Sequence, residues 1–142
     1  MIIREYKESD EGDVLFINNQ CHEKAQPDED LLEVINSPKA KTWVAVDFDR
    51  DTVGFIIGTI KHGMPYICNI SVLQESRKKG IGKSLIEIFE NYFKKIRSSF
   101  WLQVNTNNPA QKLYFDLGYR VDSVDENFYG MLEHALCMIK RS

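Results

Sequence analysis

The sequence predicts an α+β fold: a mixed, largely antiparallel central sheet of about six to seven strands flanked by helices. Three observations predict it. The middle of the chain holds two β-rich runs, Thr42 to Phe48 and Thr52 to Lys61, joined by a short polar turn. A long apolar stripe at helical spacing follows, from Ile81 to Ile96. Strands also recur on both sides of the helices in mixed order, without the regular strand and helix alternation of an all-parallel sheet.

Taken in order, Ile2 to Tyr6 is a short strand, and Ser9 and Asp10 are candidate caps for a helix carrying Val14, Leu15, Ile17 and Cys21. A second helix covers Glu29 to Asn36, uses Leu31, Leu32 and Ile35 as its apolar face, and stops before Pro38. Asp49, Arg50 and Asp51 turn the central hairpin. Pro65 to Leu73, PYICNISVL, forms another strand with Tyr66, Cys68, Ile70 and Val72 on one face. Ile81, Leu85, Ile88, Phe89, Tyr92 and Ile96 give the next helix its stripe, with Glu87, Glu90, Lys94 and Lys95 mostly off it. Phe100, Leu102 and Val104 then alternate with Trp101, Gln103 and Asn105 as a strand. Pro109 suits the first turn of a short helix with Ala110, Leu113 and Leu117 on its apolar face, and Gly118 ends it. Strands around Tyr119 to Val124 and His134 to Lys140 close the chain.

The 142 residues suit one domain, residues 1–142, large enough to bury a core without disulfide or metal staples. With 43% hydrophobic and 27% charged residues the chain belongs with ordinary globular proteins. A net charge of -3 argues against a broadly basic nucleic-acid surface. Cys21, Cys68 and Cys137 are odd in number, widely spaced and lack a CxxC pair, which points away from a disulfide framework or a zinc site and toward a reducing cytoplasm. Neither a signal pattern nor an apolar run near the roughly 20 residues of a membrane span is present.

Against this acidic background the basic run RKKGIGKSL, Arg77 to Leu85, stands out. It fails as a Walker A loop, because the position five before Gly82 is Arg77 and not glycine. As a dinucleotide fingerprint it keeps Gly80 and Gly82 but has Leu85 where a third glycine belongs. What remains is a basic turn opening a helix, where orphan amides, helix dipole and lysine charge all favour a phosphate group. A solvated turn with exposed lysines is the competing reading.

The stretch VLQESRKKGIGKSLI resembles the acetyl-CoA signature of the GNAT superfamily of N-acetyltransferases: Arg or Gln, two residues, Gly, one residue, then Gly or Ala. Here that core is Arg77, Lys78, Lys79, Gly80, Ile81 and Gly82, preceded by Val72, with Gln74 where the family commonly has proline. A second family motif is similar to NNPAQKLYFDLGY, through Asn107, Ala110, Tyr114, Gly118 and Tyr119. The resemblance implies a GNAT-like fold and acetyl-CoA as acyl donor to an amine acceptor. It places the pyrophosphate on the turn from Arg77 through Lys83 and Ser84. It also implies that the strand ending at Val72 splays from the Phe100 to Asn105 strand. Pantetheine would then lie along Ile70, Ser71 and Val72, beside Asn107 and Tyr114.

The same resemblance makes Tyr114 the proton donor for the departing thiolate, although its spacing beside Leu113 and Leu117 alone reads as core. The backbone N–H of Val72, or one beside it, is the candidate for polarising the thioester carbonyl. The base is not given: the position matching a common family glutamate is Gln103, and an amide takes no proton at neutral pH. His22, Glu23, Glu126 and His134 are the titratable residues flanking the acceptor groove, with no spacing in favour of any. The acidic run of Glu23, Asp28, Glu29, Asp30 and Glu33 reads as either a cation attractor or the outer face of a helix. The acceptor is thus a small amine or a protein amino group, the alternative being a non-catalytic acyl-CoA sensor on the same fold. The oligomeric expectation is monomer or homodimer.

Overall fold

The computed structural model describes residues 1–22, 25–130 and 133–141, with the backbone alone for 127–130 and 133. The elements are β1 (Ile2–Glu5), α1 (Glu11–Cys21), α2 (Asp28–Ile35), β2 (Lys41–Val46), β3 (Thr52–Lys61), β4 (Met64–Val72), α3 (Ile81–Phe93), β5 (Phe100–Asn105), α4 (Gln111–Asp116), β6 (Arg120–Gly130) and β7 (Glu133–Lys140). Among the described residues the strands form one seven-stranded sheet in the order β1-β2-β3-β4-β5-β7-β6. Every neighbouring pair is antiparallel except β4 with β5. The α+β prediction therefore describes the fold.

Each sheet face carries its own core. On one face Leu85, Phe89 and Phe93 of α3 pack on Trp43, Ile56, Ile67, Leu102 and Val104. On the other, Val14 and Ile17 of α1 and Leu31 and Ile35 of α2 cover Val44, Phe55 and Ile57. Such burial is the main stabilising contribution, since each large apolar side chain removed from water contributes about 1.5–3 kcal/mol.

Several boundaries differ from the sequence reading for local reasons. Phe48 is 92% exposed, because the hairpin turn begins at Asp47, whose Oδ1 accepts the N–H groups of Asp49 and Asp51 at 2.9 Å each. Asp10 does not cap α1 with its side chain. It is buried, taking the Lys7 N–H at 2.9 Å and a bidentate pair from Arg4 at 2.8 and 2.9 Å, and thereby closes the 3-10 turn that precedes the helix. Ile96 lies beyond the end of α3 and is 57% exposed, since the chain must turn there to enter β5.

The difference with most consequence is in β4. Ile57 pairs with Asn69, but Gly58 pairs with Ile67, so Cys68 is one residue too many for β3. Such a bulge reverses the side-chain alternation. Cys68 therefore joins the α1 face while Ile70 and Val72 join the α3 face, correcting the expectation that all three share one side.

Glycine at position 58 is required by packing. A Cβ there would lie 2.5 Å from two ring carbons of Phe89. Gly58→Ala is expected to lower stability by about 2 kcal/mol through overpacking. Gly12, inside α1 with nothing within 4 Å of its virtual Cβ, is the control: Gly12→Ala should raise stability by about 0.5–1 kcal/mol. Urea denaturation of the two variants against the parent chain checks both signs.

Candidate functional site

The parallel contact between β4 and β5 is short. It holds at Tyr66 with Trp101 and Ile67 with Leu102, and the strands part beyond it. Leu73 N–H still reaches Val53 C=O at 2.9 Å on the β3 side. Strand alternation then turns the peptide groups of Ile70 and Val72 away from β3, into the gap where β5 has left. That open strand edge suits an extended ligand with amide groups of its own.

At the mouth of the gap the chain forms a 3-10 turn over Gln74–Ser76 and then the basic turn into α3. Gly80 has φ +81° and Lys78 φ +64°, so both sit in the left-handed region. Glycine at position 80 is set by that backbone angle, and a Cβ there would meet nothing within 4 Å. Gly82 serves packing, because a Cβ there would stand 3.1 Å from Leu113 Cδ2 on α4. The amides at the start of α3 are the orphan donors of a helix end, and Ser84 N–H is the first to close back, on Gly80 C=O at 3.0 Å. Arg77, Lys78, Lys79 and Lys83 are all exposed around them, and no acidic residue lies in the first turn of α3.

Two joined cavities occupy the splay. The first, of about 690 Å³, is lined by Ile70, Ser71, Val72, Arg77, Lys78, Gly80, Ile81, Gly82 and Lys83 together with Ala110, Leu113 and Tyr114. The second, of about 440 Å³, is lined by Asn18, Gln26, Ile67, Cys68, Asn69, Leu102, Gln103, Val104 and Asn105. Cys21, His22, Ile70, Asn108 and Tyr114 line both and mark the junction. Lys79, Ser84 and Asn107 line neither. Asn107 is exposed, and it is Asn108 that faces the junction while its Oδ1 accepts the Ala110 N–H at 2.9 Å, shaping the entry to α4.

Side chains at the junction are tied down. Arg77 Nε donates to Val72 C=O at 2.9 Å, and the Cys21 thiol donates to the same carbonyl at 3.4 Å. Arg77 thus fastens the basic turn to the end of β4. Tyr114 is 6% exposed and packs edge-on to Tyr119 at 6.4 Å between ring centres. Gln103 Oε1 accepts from the Tyr66 hydroxyl at 3.1 Å, and its Nε2 reaches Asp125 at 3.5 Å. His22 Nε2 lies 2.9 Å from Ser71 Oγ. Burial, partly opposed by Asn69 and reinforced by the Arg77 cation, holds its pKa below the ordinary 6.5. Burial pushes the Cys68 thiol up to about 11, and it also raises Cys21 against the pull of Arg77.

Of the other titratable candidates, Glu126 is exposed, and neither it nor His134 lines a cavity. Glu23 and Lys24 fall outside the described residues. Asp28, Glu29, Asp30 and Glu33 face solvent on α2, where the first three complement the helix dipole. Sequence reading missed Asn18, Asn69 and Asn108. For Asn18 a signal existed: it is fully buried on the apolar face of α1 beside Val14 and Ile17, and a buried amide needs partners.

A splayed parallel strand pair, its edge leading from a basic helix-opening turn to a two-chambered junction, is the frame of an acyltransferase that draws its acyl group from a coenzyme A thioester. The chain belongs to the GNAT acetyltransferase family: the profile for the acetyltransferase (GNAT) domain matches residues 5–136. The uncharacterized N-acetyltransferase of Methanocaldococcus jannaschii is 30% identical over 144 residues, spanning 99% of this chain and 92% of that one. An N-alpha-acetyltransferase of Sulfurisphaera tokodaii is 26% identical, spanning 96% and 90%. Arabidopsis thaliana NAA60 in complex with acetyl-CoA superposes with a TM-score of 0.84 at 22% identity, over 97% of this chain and 96% of that one. The protein is an acetyl-CoA-dependent N-acetyltransferase.

The orphan amides, the lysines and the free strand edge fit the polyanionic, amide-bearing donor. Reversing one charge at the mouth, Lys83→Glu or Lys78→Glu, should weaken acetyl-CoA binding about tenfold at low salt through loss of a charge-assisted contact. The difference from the parent should shrink as salt is raised past about 0.15 M, where screening shortens the reach of exposed charges. Calorimetric titration at two ionic strengths measures both effects.

Proposed function

We propose that the chain acetylates α-amines, as at the N-terminus of a peptide or protein, by direct transfer. The observation that supports this acceptor is the uncharged lining of the smaller cavity: among the described residues lining it, none is Asp, Glu, Lys or Arg. An α-amine, with an ordinary pKa of about 8, is partly neutral at physiological pH, whereas a lysine amine near 10.4 arrives as a cation that needs carboxylates around it. The printed name of the Sulfurisphaera tokodaii relative, an N-alpha-acetyltransferase, supports the same class.

In this reading acetyl-CoA supplies the thioester, and the amides and lysines of the basic turn, with Arg77, Lys78 and Lys83 foremost, bind its pyrophosphate. Ile70 offers its peptide groups and Val72 its N–H to the pantetheine, the Val72 carbonyl being held by Arg77 and Cys21, and Tyr114 gives a proton to the leaving sulfur. Burial raises both Cys21 and Cys68, which favours the thiol over the nucleophilic thiolate and supports passage of the acetyl directly to the amine. The three free thiols support a reducing cytoplasm, and the net charge of -3 supports work without nucleic acid.

Thermal stabilisation by acetyl-CoA, with ATP and pyrophosphate as controls, reports the donor site. CoA release with free-N-terminus peptides, set against Nα-blocked lysine peptides, reports the acceptor. Tyr114→Phe should reduce kcat about 100-fold while keeping the acetyl-CoA shift. Binding without release of CoA on any amine would make the chain a sensor and end this proposal.

A further inference from the structure

We infer that His22 is the proton acceptor for the incoming amine, held for that role as its Nε2–H tautomer by a buried chain of amide and hydroxyl groups. The inference rests on the donor and acceptor assignment above. The chain begins at a carbonyl, which can only accept. Gln26 C=O receives Asn18 Nδ2 at 3.4 Å, so Asn18 turns its Oδ1 to Asn69 Nδ2 at 2.9 Å. Asn69 then has its Oδ1 for the Ser71 hydroxyl, which donates at 2.8 Å. A hydroxyl has one proton, and that of Ser71 is used. Toward His22, at 2.9 Å, the Ser71 oxygen must accept, and the proton lies on Nε2. In the neutral ring the lone pair falls on Nδ1.

Two members of the chain are buried, Asn18 fully and Ser71 at 4% exposure, while Asn69 and His22 are half-buried at the cavity wall. His22 follows the last residue of α1 and lines both cavities, where donor and acceptor meet. The ionisable groups that line the two cavities with it are Cys21 of α1, Cys68 of β4, Arg77 and Lys78 of the basic turn, Lys83 of α3 and Tyr114 of α4. Glu23 and Lys24 lie outside the described residues. Burial and Arg77 outweigh Asn69 and keep the ring neutral near pH 7. A base that weak suits an amine that arrives partly neutral and sheds its proton as the N–C bond forms, as an α-amine of pKa about 8 does and a lysine amine near 10.4 does not.

The step balances without a further reagent. The amine nitrogen forms the new N–C bond as the C–S bond breaks, and its proton passes to His22 Nδ1. The sulfur leaves as thiolate and takes a proton from Tyr114. His22 then releases its proton to solvent and Tyr114 regains one, giving amide and thiol from amine and thioester. An amine that arrives as ammonium releases one net proton.

The test joins spectroscopy and kinetics on the full chain. Long-range ¹H–¹⁵N spectra of ¹⁵N-histidine protein, with His22 identified by its loss in His22→Gln, should show the Nε2–H tautomer, and Ser71→Ala should lose that preference. With tetrapeptide amides beginning in Ala, Ser or Met, kcat/KM of the parent, calculated on the concentration of neutral amine so that the substrate's own titration is divided out, should fall on the acid side with a midpoint below 6.5. His22→Gln should lower kcat about 100-fold and abolish that acid limb, while the acetyl-CoA thermal shift persists. An Nδ1–H tautomer, or an acid limb retained in His22→Gln, overturns the inference. No peptide acetylated with acetyl-CoA still bound overturns the α-amine reading, and with it the matching of His22 to that acceptor.

Discussion

Cys68 has no partner on β3, and both functional faces of β4 depend on that single extra residue. Continued alternation from Ile67 would send Asn69 and Ser71 into the apolar core under α3, where an unpaired amide or hydroxyl costs about 1–3 kcal/mol. The bulge instead turns Asn69 and Ser71 toward α1, where Asn18 and His22 meet them, and gives Ile70 and Val72 to the α3 side. A bulge also bends its strand and increases local twist. Immediately after it β4 and β5 part, leaving the peptide edge that a donor can occupy.

The donor turn must in turn be held at a fixed distance from that edge, and α3 does this. Gly58 lets Phe89 and Phe93 lie directly on β3, and Gly82 lets α4 close on the first turn of α3 through Leu113. At the far end Glu90 accepts from the buried Tyr119 hydroxyl at 2.8 Å and pairs with Lys140 at 3.0 Å, linking α3 to the chain after α4 and to β7. Burial, then the Glu90 charge, pushes the Tyr119 phenol upward, so it serves as a hydrogen-bond donor and not as a base. The second family motif therefore ends in a structural clamp, while its Tyr114 faces the cavities.

Helical and strand periodicity made most of the architecture legible, because α3, β3 and β5 each bury an unbroken pattern. The basic turn was legible as the entry to α3, since Gly80 and Gly82 follow a strand and precede an apolar stripe at helical spacing. The phase of β4 was not. A bulge leaves no mark in PYICNISVL, where alternating apolar residues suggest one continuous face. His22 carried no signal for the same reason: Ser71 lies 49 residues from His22 and Asn69 lies 51 from Asn18, and the bulge turns Asn69 and Ser71 to the side of α1. The acidic run before and within α2 showed the opposite failing, a charge pattern without a site.

The cavities proposed for donor and acceptor have different linings, and chemistry requires that they should. A pyrophosphate stays charged throughout, so exposed lysines and helix amides can attract it without altering the reaction. The acceptor must lose a proton before its nitrogen can attack, and a carboxylate beside it would stabilise the ammonium form that cannot react. Gln103, reaching Asp125 only at 3.5 Å, and the amides of Asn18, Asn69 and Asn105 leave the acceptor chamber polar without fixing a positive charge. Arg77 adds to this by acting at both borders: it anchors the turn through Val72 C=O and, with burial, keeps His22 uncharged. In the proposed assignment one cation thus fastens the donor turn and, after burial, adds to the lowering of His22 beside the acceptor.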